Sequence, residues 1–89
     1  MAIDMRSFEV DRVRNMLSSM GWSVSNSQFM GNKVQVKFEK TLTEAQKPMG
    51  QMELDRVANM LSSFGWLRLS TNIAGNMLTV EFSKEVAQP

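Results

Sequence analysis

Apolar residues at positions 10, 13, 16, 17 and 20 (Val10, Val13, Met16, Leu17, Met20) fall within an arc of roughly 120° at helical spacing, the width of a core-facing stripe. Asp11, Arg12, Arg14, Asn15, Ser18 and Ser19 fill the opposite arc. The spacing predicts a helix over 8–20, with Glu9 and Asp11 in its first turn, where the helix dipole favours acids. Gly21 is the expected left-handed stop. Trp22 then stands where a Schellman motif places an apolar residue that folds back on Leu17. After it, the period changes from helical to alternating. Residues 33–40 place Val34, Val36 and Phe38 on one side and Lys33, Gln35, Lys37 and Glu39 on the other, which is a half-buried strand. Gly31-Asn32 separates this run from residues 22–30 and predicts a two-residue hairpin turn, since both residues tolerate positive φ.

The same pattern returns 44 positions later. Residues 9–40 and 53–84 align without a gap and are identical at 16 of 32 positions. This predicts an internal duplication, with one repeat over about 8–40, the other over 52–84, and a connection over 41–50 that contains Pro48 and Gly50 and has room for one helical turn near 43–47. Leu54, Val57, Met60, Leu61 and Phe64 form the second stripe, Gly65 the second stop, and Gly75-Asn76 the second hairpin turn. The expected fold is α+β, a duplicated αββ-αββ chain with two helices on one face of a four-stranded antiparallel sheet. Repeats of about 40 residues are too short to fold separately, so residues 1–89 are expected to form one domain around a shared core.

Hairpin register decides which way the tryptophans face, because a slip of one residue exchanges the two sides of a strand. A two-residue loop in both hairpins puts Leu67, Leu69, Ile73, Leu78, Val80 and Phe82 on the core side. In the first repeat it puts Phe29 inward with Ser23, Ser25 and Ser27, and leaves Trp22 and Val24 outward. A three-residue loop or a bulge would instead place Trp22 and Val24 beside Val34, Val36 and Phe38. In the first arrangement the open sheet face carries Trp22, Val24, Met30, Trp66 and Met77 among Lys33, Lys37 and Arg68, a patch suited to contact. In the second, both tryptophans seal the corners between helix and strand.

Composition narrows the chemistry. The chain has no Cys and no His, which removes disulfides, the usual zinc ligands and imidazole catalysis. A net charge of +1 argues against a strongly basic nucleic-acid binder. No window is long and apolar enough to span a bilayer and no signal-peptide pattern is present, so a cytoplasmic protein without membrane contact is expected. Nine methionines suit an adaptable core or an adaptable surface. No two glycines have the spacing of a phosphate-gripping loop. Asp11 with Asp55, and Glu9 with Glu53, are the symmetric acid pairs, but nothing nearby in sequence would tune them.

These readings lead to a small non-enzymatic interaction protein with no cofactor or metal, contacting another protein or a second copy of itself. The binding residues expected are Trp22, Val24, Met30, Lys33, Lys37, Trp66, Arg68 and Met77. The alternative is a nucleic-acid module that stacks bases on Trp22 and Trp66 and holds phosphates with Lys33, Lys37 and Arg68. A symmetric acid- or metal-dependent enzyme is the third and weakest reading. The twin polar strips Asp11, Arg12, Asn15, Ser18, Ser19 and Asp55, Arg56, Asn59, Ser62, Ser63 are read as ordinary solvated helix surface.

Overall fold

The structure is a computed structural model that describes residues 4–87. Its elements are α1 (Met5–Ser18), β1 (Ser23–Met30), β2 (Lys33–Thr41), a 3-10 turn (Lys47–Met49), α2 (Gly50–Ser62), β3 (Leu67–Ala74) and β4 (Met77–Glu85). The four strands form one antiparallel sheet in the order β1-β2-β4-β3. The order was open from the sequence. It places β2 and β4 at the centre and leaves β1 and β3 as the two edges.

Helix α1 begins at Met5 rather than at residue 8, because the Asp4 carboxylate accepts the Arg6 N–H at 3.0 Å and caps the N-terminus. Glu9 and Asp11 therefore lie beyond the first turn, contrary to the sequence reading. Both helices end as expected. Gly21 takes φ 88° and Gly65 φ 89°. The Trp22 N–H donates to the Leu17 carbonyl at 3.0 Å and the Trp66 N–H to the Leu61 carbonyl at 3.0 Å. The Gly21 and Gly65 N–H groups reach the Ser18 and Ser62 carbonyls at 3.2 and 3.1 Å. These are the paired bonds of a Schellman motif, and they satisfy carbonyls that the helix leaves orphaned.

Both hairpins use the two-residue Gly-Asn loop, with Met30 opposite Lys33 and Ala74 opposite Met77. Each first strand also carries an irregularity near its start, between Val24 and Asn26 and between Arg68 and Ser70. A bulge of this kind reverses the sidedness of everything before it. Phe29 and Ile73 thus pair with Val34 and Leu78 as the short loop requires, while Val24 is opposite Phe38 and Arg68 is opposite Phe82. The two registers weighed from the sequence each hold for part of the strand.

The core is one cluster. Val10, Val13 and Leu17 of α1, and Leu54, Val57 and Leu61 of α2, join Val34, Val36, Phe38, Leu78, Val80 and Phe82 of the central strands. Trp22, Trp66, Leu42 and Val86 close it. Full burial of such side chains is worth roughly 1.5–3 kcal/mol each. Phe38 and Phe82 meet edge to face across the β2–β4 pair, with ring centroids 6.4 Å apart. Gly50 begins α2 against the sheet, where an added Cβ would come within 3.2 Å of Leu78 Cδ2. Among the described residues no helix is long and apolar enough to cross a membrane.

Candidate interaction surface

The tryptophans are the main correction to the sequence reading. Trp22 and Trp66 are only 2% and 3% exposed and belong to the core, so neither faces outward. Each ring seals the corner that its Schellman turn creates. Their indole N–H groups are buried without an acceptor among the described residues, so packing rather than hydrogen bonding holds the rings. Val24 is likewise not on the open side. It lies half-buried opposite Phe38 and packs against the core. Arg68 is opposite Phe82, on the core side of the edge strand, and its Nη1 lies 3.6 Å from Asp55 Oδ1 of α2.

Four of the expected contact residues do face away from the core: Met30, Lys33, Lys37 and Met77 are all exposed. They do not form an apolar patch. Lys33 is in register with Glu85, and Lys37 with Glu81, across the β2–β4 pair. Gln35, Glu39, Thr79 and Ser83 share that side with them. That side of the central strands is polar and nearly balanced in charge. This leaves the nucleic-acid reading without its stacking platforms and with an acid opposite each of its central-strand lysines. The acids considered for catalysis are engaged locally: Asp11 pairs with Arg14 at 3.1 Å, and Asp55 accepts from Gln51 Nε2 at 3.0 Å. No cluster of three or more metal-ligating side chains occurs among the described residues.

Sequence reasoning missed the two lysines on the core side. Lys40 and Lys84 continue the parity of Val34, Val36, Phe38 and of Leu78, Val80, Phe82, which was the available signal. Lys40 Nζ donates to the Met20 carbonyl at 2.8 Å and lies 3.4 Å from Glu53 Oε1. Lys84 Nζ donates to the Phe64 carbonyl at 2.7 Å and to Glu9 Oε1. Each lysine therefore caps the C-terminal end of one helix and ties itself to an acid of the other. Glu9, read as a dipole partner, is instead a buried member of this tie.

The two sheet edges differ sharply in chemistry. Along β1 the side chains are mostly short and polar, and Ser25 Oγ donates to the Lys37 carbonyl at 3.3 Å beside the bulge. Its one exposed aromatic, Phe29, lies under Arg6, whose guanidinium carbon is 4.8 Å from the ring centroid. Arg6 also donates to the Gly31 carbonyl at 2.9 Å, which fixes it over this edge. Among the described residues, no cation–π or side-chain cover of this kind lies over strand β3. All eight of its residues are exposed, with Leu67 at 65%, Ile73 at 47% and Leu69 at 41%. The sequence reading placed these three in the core. The bulge at Leu69 turns Leu67 to the side of Ser83, and the edge position leaves Leu69 and Ile73 half in solvent. Long apolar edge strands are normally blunted by charge, proline or a covering element, because their free N–H and C=O groups template pairing.

The chain matches no family model, no curated protein and no solved structure.

Proposed function

We propose that the protein is an internally duplicated αββ-αββ module, with both helices on one side of its sheet, and that it acts as a small non-enzymatic interaction protein through edge strand β3. The duplication reading is supported by features that recur 44 residues apart: the Schellman turns, the Gly-Asn hairpins, the strand irregularities and the lysine ties. The interaction reading rests on one observation. Leu67, Leu69 and Ile73 stand exposed on an unpaired strand, whereas the matching positions of β1 are Ser23, Ser25 and an Arg6-covered Phe29. A partner that adds a strand there gains main-chain hydrogen bonds along β3 and buries the three aliphatic side chains. The contact surface thereby moves from the open face, which lacks the tryptophans, to the edge.

A photo-reactive side chain at Asn72, in the full chain expressed in cells, tests this reading. A discrete adduct to a protein, lost when Leu69→Lys is introduced, is the expected result. Absence of an adduct, or one indifferent to Leu69→Lys, would overturn it.

A further inference from the structure

Taking the two halves from that reading, but not its β3 edge, we infer that two copies of this chain exchange halves along the β2–β4 seam. The half before residues 43–49 in each copy pairs with the half after them in the other. The seam is two-fold symmetric. Lys33 faces Glu85 and Thr41 faces Met77, which under the 44-residue offset are one pair of positions taken in both directions. The same is true of Val36 with Phe82 and Phe38 with Val80. Lys37 faces Glu81, its own equivalent, so the axis passes through that pair. Beyond the ladder, the Leu42 N–H donates to the Asn76 carbonyl at 2.7 Å, and the Val86 N–H to the Asn32 carbonyl at 2.6 Å. The lysine ties to Glu9 and Glu53 cross the same seam. Each helix, by contrast, packs on the hairpin that follows it.

The covalent link between the halves lies on the surface. Residues 43–49 are all exposed, and their backbone bonds are local turns, from the Gln46 N–H to the Thr43 carbonyl at 3.0 Å and from the Met49 N–H to the Gln46 carbonyl at 2.8 Å. Drawn out, seven residues reach about 25 Å. Opening this link loses those turns and leaves every contact of the seam available to a half of another copy. Charge selects which half. First half on first half sets Lys37 against Lys37, and second on second sets Glu81 against Glu81. Like charges directly opposite destabilise a ladder. First on second sets Lys37 against Glu81 and Lys33 against Glu85, whether the two belong to one chain or to two. The occupant that a freed half accepts is therefore the opposite half of a second copy. Reciprocal exchange leaves no seam unpaired and closes at two chains. The short link holds the two halves of one chain at high effective concentration, so the monomer dominates in dilute solution and the exchanged form grows as chains fold at high concentration. The exchanged dimer carries two β3 edges in one particle.

The chain has no cysteine, so any disulfide comes from introduced residues. Lys37→Cys together with Glu81→Cys in one full-length chain reports the seam. Directly opposed residues of an antiparallel pair lie about 4.5–5.5 Å apart at Cα, inside the range a disulfide spans. The protein is unfolded, refolded at low or high concentration, and then oxidised mildly. The expected result is an intrachain disulfide at low concentration and a covalent dimer at high concentration. The dimer-to-monomer ratio should rise about tenfold for each tenfold increase in free monomer. Either cysteine alone should give no such dimer. Sedimentation of the unmodified chain should show the same dimer, slow to dissociate on dilution because return requires the seam to open. A chain that is monomeric after refolding at every concentration, with intrachain disulfides alone, would sink the exchange. Equal cross-linking of the single variants would sink it too, by showing like halves paired. The Asn72 adduct reads the β3 edge separately. Its presence leaves the β3 reading standing whatever the seam does, and its absence removes that reading without touching the exchange.

Discussion

The corner where Lys84 meets Glu9 and the corner where Lys40 meets Glu53 use the same residue types at matching positions, but they are not equally satisfied. At the first, Glu9 Oε1 accepts from Lys84 and Oε2 accepts from Arg12 at 3.1 Å. The Arg12 guanidinium carbon also lies 4.7 Å from the centroid of the Phe64 ring, in the turn that follows α2. At the second, Lys40 is 3.4 Å from Glu53 Oε1, and Glu53 Oε2 is buried without a hydrogen-bond partner. The position matching Phe64 is Met20, which offers Arg56 no ring. One aromatic residue thus separates the corners: it fixes an arginine in place, and the arginine completes the acid. A half-satisfied buried carboxylate contributes little, because its desolvation offsets the attraction it gains.

Three measurements can break or sharpen this contrast, made by denaturant unfolding at one fixed protein concentration. The largest effect is expected from Glu9→Gln, at roughly 2–3 kcal/mol, because two cations lose a charged acceptor. Glu53→Gln should cost less than about 1 kcal/mol. Equal losses would show the corners to be equivalent after all. Next, Arg12→Ala should cost about 1 kcal/mol through the lost ring and carboxylate contacts, while Arg56→Ala stays within about 0.5 kcal/mol of the parent. A larger loss at Arg56 would reverse the assignment. The smallest effect comes from Met20→Phe, which supplies the missing ring and should stabilise by about 0.5 kcal/mol. That gain should disappear when Arg56→Ala is also present, and its survival would mean that the ring acts by packing alone.

Helices, turns and strands were legible because each is written locally. The stripes of α1 and α2 gave Val10, Val13 and Leu17 and Leu54, Val57 and Leu61 as core, and the Gly-Trp pairs gave the Schellman turns. What failed was the side on which β1 and β3 place their residues. An irregularity at Ser25 and Leu69 changes the alternation near the start of each strand, and no residue type there announces it. Serine and leucine occupy the two equivalent sites. Strand order was unreadable for a different reason: β1 and β3 look as apolar or polar as central strands do, and only pairing distinguishes an edge. Hence unbroken alternation sets Leu67, Leu69 and Ile73 in the core, and of the two arrangements open to Trp22 and Trp66 the structure has the one in which they seal the corners. Lys40 and Lys84 were overlooked because a lysine ending a strand is usually solvated.

The crossed lysine ties also bear on how the chain folds. Glu9 and Lys84 are 75 residues apart in sequence, and the central β2–β4 pairing joins residues of one half to residues of the other. Contacts at such separation are slow to form, because the entropy of closing a long loop must be lost before the contact stabilises anything. A chain emerging from the ribosome can build α1 and the first hairpin early. It cannot satisfy Glu9 or cover the inner edge of β2 until the last strand has been synthesised. Until then the half-made molecule presents an unpaired apolar strand, and its exposure to misassociation is set by the rate of translation through β4.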